Sequence, residues 1–149
     1  MSYSLAYTQA IAVMTSIGAQ NKLRKIDWIS AASLAETLSV PKPTVVSIVT
    51  RLIASGLLES REGKNGGVRL AKDAGTISLL DIFEAIERRR PLFNTELPAN
   101  PARKEIVEAR WRVIQSFQNA EVKMKEALAE VRLASLFGCP TLMNKNART

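Results

Sequence analysis

Residues Ser30 to Leu70 read SAASLAETLSVPKPTVVSIVTRLIASGLLESREGKNGGVRL, and this stretch decides the fold. Ser30 suits an N-cap ahead of Ala31, Ala32 and Ser33, since its hydroxyl can accept from an unpaired N–H of the first turn. Leu34, Ala35 and Leu38 then supply an apolar face at helical spacing. Ser39-Val40-Pro41-Lys42-Pro43 is the break. Proline is tolerated in a first turn, so a second helix can start near Lys42 and run to about Ser55. Val45, Ile48, Val49, Leu52 and Ile53 mark its buried face, and Gly56 ends it as a C′ glycine. Leu57 to Arg61 reads as a strand and Val68-Arg69-Leu70 as its return, with the Asn-Gly hairpin signal in Lys64-Asn65-Gly66-Gly67 between them. Two short helices joined by a tight turn and followed at once by a hairpin make a winged helix-turn-helix.

On the N-terminal side, Tyr3 to Gln20 reads as a largely buried helix, with Leu5, Val13 and Ile17 near one stripe and Tyr7, Ile11 and Met14 beside it. Asn21 to Asp27 is polar and basic, and reads as a loop. Beyond the wing, Ser78 with Asp81 three residues on forms a capping box, and Leu79, Ile82, Phe83 and Ile86 face the core. Arg88-Arg89-Arg90-Pro91 ends that helix, and the prolines at 91, 98 and 101 bound a linker. Asn100-Pro101 opens a long helix that is expected to run to about Arg132. Along it Val113, Phe117, Ala120, Met124, Ala127 and Val131 recur at alternating spacings of four and three, a heptad-like stripe. About thirty helical residues span roughly 45 Å, more than a small winged domain covers. Phe117, Met124 and Val131 are therefore expected to stay exposed in a monomer, and a twofold partner supplying the same helix is the simplest cover.

The expected fold is mainly α with a small β-wing. Its expected parts are a winged helix-turn-helix DNA-binding domain over 1–90, a proline-containing linker over 91–100, a dimerisation helix with a short terminal turn over 101–137, and a flexible basic tail over 138–149.

The chain has 149 residues, 46% of them apolar, and no apolar run approaches a membrane span. Its first residues lack the basic start of a secretory signal, so a cytoplasmic location away from membrane is expected. A single cysteine, Cys139, excludes an intrachain disulfide framework. There is no histidine. That removes imidazole acid–base catalysis, Ser-His and Cys-His nucleophiles, and most transition-metal sites. No glycine-rich phosphate loop follows a strand, and Glu84 and Glu87 read as solvated surface charges. No enzyme, cofactor or metal is expected.

The net charge of +7 implies attraction to polyanions, and its location narrows the choice. No acidic residue occurs between Glu36 and Glu59, a segment holding the whole second helix with Lys42 and Arg51. Lys42, Thr44, Ser47, Thr50 and Arg51 are basic, short or polar side chains suited to base edges and phosphates in a major groove. The wing adds Arg61, Lys64, Asn65 and Arg69, and a slim tip of this kind can approach a minor groove. Double-stranded DNA is the expected partner.

The segment Ser33 to Pro41 followed by Leu52 to Leu58 carries a resemblance to a known family. More specific is Gly63-Lys64-Asn65-Gly66-Gly67-Val68-Arg69-Leu70-Ala71 leading into Ile77-Ser78-Leu79-Leu80-Asp81-Ile82-Phe83-Glu84-Ala85-Ile86-Glu87. Together they resemble the Rrf2 family of bacterial regulators, over nearly the whole chain. The resemblance implies a dimer built through the long C-terminal helix and a palindromic operator read by two recognition helices and two wings. Many members sense through an iron–sulfur cluster whose three cysteines lie just before that helix. Residues 91–104 here contain no cysteine and no histidine, and a cluster needs thiolates, so the chain resembles the cluster-free branch. Cys139, in Phe137-Gly138-Cys139-Pro140, has no resolving partner within the chain and no obvious cationic neighbours. An unreactive thiol is the expectation, with a redox thiol as the alternative. The expected function is a sequence-specific homodimeric transcription regulator acting as a repressor. The alternatives are a thiol- or small-ligand-responsive regulator of the same fold, and a winged-helix protein–protein module that does not bind DNA.

Overall fold

The computed structural model describes residues 5–87, 90–96 and 103–137. The elements are α1 (Leu5–Leu23), α2 (Ala31–Leu38), α3 (Lys42–Ala54), β1 (Leu58–Arg61), β2 (Gly67–Leu70), α4 (Leu79–Glu87), α5 (Lys104–Glu130) and a 3-10 turn (Leu133–Leu136). The fold is mainly helical with one two-stranded antiparallel sheet, as the sequence led us to expect.

α1 runs through the centre of the winged unit and packs against α3, α4 and β2. Ala10, Val13, Met14 and Ile17 are buried along it and meet Leu34, Val45, Leu52, Ile77 and Ile82 in one core. The helix runs one turn past Gln20, to Leu23. There the Asn21 side-chain amide donates to the Ile26 and Asp27 carbonyls at 2.7 and 2.9 Å. Its oxygen accepts from the Leu70 N–H at 3.2 Å. One polar side chain thus folds the following loop back and ties it to β2.

The capping residues behave as their chemistry requires. Ser30 Oγ accepts from the Ser33 N–H at 3.1 Å. Ser78 N–H donates to Asp81 Oδ2 at 2.8 Å, and Ser78 Oγ accepts from the Asp81 N–H at 3.1 Å, closing the capping box. At the end of α3, Gly56 takes a left-handed φ of +76°, and Leu57 N–H reaches back to the Leu52 carbonyl at 3.0 Å.

The long helix departs from expectation at both ends. Residues 97–102, with Asn100 and Pro101, lie outside the described residues, and α5 begins at Lys104 with an extended Arg103 in the N-cap position. It stops at Glu130 rather than near Arg132, because Val131 is extended. The Val131 carbonyl accepts from the Leu79 N–H at 3.0 Å, and Leu133 N–H donates to the Ile77 carbonyl at 2.8 Å. Leu133 is thereby fully buried in the winged core. Burying a leucine is worth about 1.5–3 kcal/mol, which outweighs one more turn of helix. Among the described residues, no helix is long and apolar enough to cross a membrane.

Candidate nucleic-acid interface

α3 buries Val45, Ile48, Val49 and Leu52 against the core, so its opposite face points outward. Lys42, Ser47 and Thr50 are exposed there, while Thr44 and Arg51 are half-buried at the edge. The exposed Thr50 hydroxyl donates to the Val46 carbonyl at 2.8 Å, so toward a ligand it acts as an acceptor. Pro43, Thr44, Ser47, Ile48 and Arg51 join Ala6 of α1 around an open groove of about 310 Å³. Five residues expected at a major groove therefore lie along one side of one helix. Sequence reasoning missed Val46, which is 44% exposed between Lys42 and Thr50 on the same row. Its spacing signals the position, and only its apolar character set it aside. An apolar group there suits a thymine methyl.

The strands flank the Asn65-Gly66 signal, and the loop between them is longer than a two-residue turn. The register pairs Leu58 with Leu70 and Arg61 with Gly67, so residues 62–66 form a five-residue loop. A type I′ turn would need positive φ at both Asn65 and Gly66. Here the positive values fall on Gly63 and Gly67, at +104° and +144°. Gly66 is required for a different reason, since a Cβ on it would lie 2.1 Å from the Arg61 carbonyl oxygen. Lys64 and Asn65 are exposed at the tip, and the Asn65 carbonyl accepts from the Arg61 guanidinium at 2.6 Å.

The two wing arginines are held from below. Both guanidiniums lie over the Trp28 ring, Arg61 at 4.6 Å and Arg69 at 4.4 Å from its centroid. Arg69 also pairs with Glu59 across the strands. Its charge is therefore offset, while Lys64 and Arg61 stand toward solvent.

On α5, Ile114, Phe117, Met124 and Leu128 are half-buried. Lys125 bridges Glu121 at 3.1 Å and Glu84 of α4 at 3.4 Å. Hydrogen bonding to Glu121, with the Glu84 charge behind it, raises the Lys125 pKa. Phe93 stacks on Phe117 with centroids 4.4 Å apart. The expectation that Phe117 and Met124 are exposed in one copy is thus corrected, because both are half-buried, Phe117 with Phe93 stacked on its ring. Val131 is half-buried and off the helix altogether. Val113, Ala120 and Ala127 are exposed at seven-residue intervals, and Ile106 extends the same row. Cys139 lies outside the described residues.

The family model for Rrf2, described as an iron-dependent transcriptional regulator, matches residues 3–138. The chain belongs to the Rrf2 family. A protein named as an HTH-type transcriptional regulator, YffB, of Lactococcus lactis is 30% identical over 138 residues, 91% of this chain and 86% of that protein. Among solved structures, CymR of B. subtilis, the global cysteine regulator of that organism, is 20% identical with a TM-score of 0.64, over 91% of this chain and 95% of its own. IscR of T. potens is 18% identical with a TM-score of 0.61, over 91% and 85%. A regulator structure from Lactobacillus plantarum, also 18% identical, reaches a TM-score of 0.71 over 89% and 87%. These likenesses carry the fold.

The iron in the family description does not fit this member's donor set. The chain has one cysteine and no histidine, and the segment leading to α5 has neither. In that segment Phe93 packs on Phe117, and Leu92 N–H donates to Glu121 at 3.4 Å. No cluster of three His, Cys, Asp or Glu side chains that could hold a metal occurs among the described residues. This Rrf2 protein is a transcriptional regulator whose own residues do not supply the thiolates that an iron–sulfur cluster needs.

Proposed function

We propose that this Rrf2 regulator binds double-stranded DNA sequence-specifically as a homodimer, on a palindromic operator, and represses by occupying it. The observation that carries the reading is the outward face of α3. It is free of acidic residues, holds Lys42, Val46, Ser47 and Thr50 together, and stands in one domain with a wing tipped by Lys64. Lys42, Thr44, Ser47, Thr50 and Arg51 meet the major groove, with Val46 against thymine methyls. Arg61, Lys64 and Asn65 serve the flanking backbone or minor groove, and phosphate contacts set the register. The exposed heptad row Ile106, Val113, Ala120 and Ala127 is the dimer seam, with Phe117 and Met124 at its margin.

The test is selection of bound duplexes from a random pool. The expected product is an inverted repeat, with half-sites spaced by about one helical turn or a multiple of it, and affinity that falls with salt. A pool that stays random, together with salt-independent retention, would leave the fold as a protein–protein module.

A further inference from the structure

Trp28 lies in the loop between α1 and α2, outside both the recognition helix and the hairpin, and is half-buried. The Arg61 and Arg69 guanidiniums stand 4.6 and 4.4 Å from its ring centroid. A ring face attracts a cation through its quadrupole, yet two cations on one ring repel each other. The surroundings relieve this. Glu59 pairs with Arg69, and Arg61 donates to the Asn65 carbonyl at 2.6 Å. Ring and wing are also joined through the backbone. Ile29 N–H donates to the Val68 carbonyl at 3.0 Å, and Val68 N–H to the Ile29 carbonyl at 2.9 Å, one residue beyond Trp28. Gly67 permits that approach, since a Cβ there would lie 2.4 Å from the Ile29 oxygen.

We propose that Trp28 is a positioning residue for DNA binding: its ring holds the Arg61 guanidinium, and through the Asn65 carbonyl the wing tip, in the pose that meets the DNA backbone. Arg69, balanced by Glu59, supports the ring from inside the wing rather than serving as a phosphate ligand. This rests on the reading of the wing as a DNA-binding element. An arginine on a bare two-stranded hairpin would have to be ordered at the moment of binding, whereas one already seated on a ring has that ordering behind it.

The test has a DNA-free arm and a DNA arm, both on the full chain. The chain has two tryptophans, so Trp111→Phe leaves Trp28 as the only reporter. In that background Arg61→Ala and Arg69→Ala should each change Trp28 emission, and unchanged emission in both overturns the stack. In the DNA arm, Trp28→Leu keeps an apolar side chain without a π face and should weaken binding to the selected operator on the order of tenfold. Trp28→Phe should bind like wild type. In an Arg61→Ala background, Trp28→Leu should cost little more. Trp28→Gln replaces the leucine variant if that one does not fold. A leucine variant that binds like wild type, a phenylalanine variant as weak as leucine, or an equal loss from Trp28→Leu with and without Arg61 each overturn the positioning role. Wild-type protein that retains no DNA overturns the wing reading and this role together, and the emission arm tells that result apart from a failed stack.

Discussion

Lys64 and Arg69 carry the same charge on the same hairpin and should behave differently. Lys64 is exposed at the tip, whereas Arg69 is half-buried, paired with Glu59 and seated on Trp28. Lys64→Ala should flatten the slope of log affinity against log salt by roughly 2 per dimer, at about 0.9 per phosphate. Arg69→Ala should leave that slope near the wild-type value, because the charge it removes already has a partner. Filter binding across a salt series separates the two, and an equal change in slope would mean that Arg69 reaches phosphate. The sequence made both residues look alike. Arg69's partner is set by the pairing of Glu59 with Arg69 across β1 and β2, which residue type does not reveal. Tyr7 gives a pH-dependent counterpart in the core. Its hydroxyl donates to the Leu79 carbonyl at 2.9 Å, its ring meets Phe83 edge-on at 5.2 Å, and burial pushes its pKa up to about 12. A raised folded-state value means that stability from the neutral phenol is complete below the unfolded value near 10 and is lost as pH rises from there toward 12. The stability difference between wild type and Tyr7→Phe should therefore shrink across that window and stay constant below it. Urea titrations at a series of pH values would show a constant difference throughout if the phenol were not buried.

At the scale of elements, short-range chemistry was readable and long-range closure was not. The Ser30 cap, the Ser78–Asp81 box and the Gly56 stop involve residues within a few positions of each other, and the structure forms each of them. The Asn65-Gly66 signal marked the hairpin, while the positive φ values that shape its five-residue loop fall on Gly63 and Gly67, outside that signal. α5 stops two residues short of the expected Arg132 for a long-range reason. Leu133 answers to a cavity built by distant residues, not to the helix that precedes it. Gly67 is the element-scale test. With φ at +144° and the Ile29 oxygen 2.4 Å from any Cβ, Gly67→Ala must strain the strand and part the loop from the wing. A loss of about 1–3 kcal/mol is expected, read as a lower urea midpoint, with Trp28 emission moving toward that of solvent-exposed indole. An unchanged midpoint would show that the loop and β2 can separate without consequence.

Over the whole molecule, the sequence located the outward face of α3 and the body of the long helix, and blurred two sides of that helix into one. Phe117 and Met124 share the stripe with Val113, Ala120 and Ala127 by spacing, but the former two are half-buried within their own chain. A heptad repeat cannot distinguish a seam against a partner from one against Phe93, since both want apolar residues at the same intervals. The distinction makes the dimer testable without damaging the fold. Ala120 is exposed in one copy, so Ala120→Arg should leave the melting behaviour of the monomer intact. If Ala120 lies in the seam, the substitution buries an unpaired charge at a cost of about 3–5 kcal/mol. Sedimentation at low micromolar concentration should then show monomer, with operator affinity falling because two linked half-sites become one. A wild-type dimer in the variant would place the seam elsewhere.

The return of the chain into the core just after α5 makes that helix a lever. Its pivot is the Val131–Leu79 and Leu133–Ile77 hydrogen bonds, and its far end, from Lys104 to Ala109, is exposed. Over an arm of about 40 Å, a tilt of about 5° at the pivot displaces the far end by roughly 3.5 Å. Repacking by a single side chain between α4 and α5 is therefore magnified along the arm, and in a dimer joined through it, the gap between the two α3 faces follows.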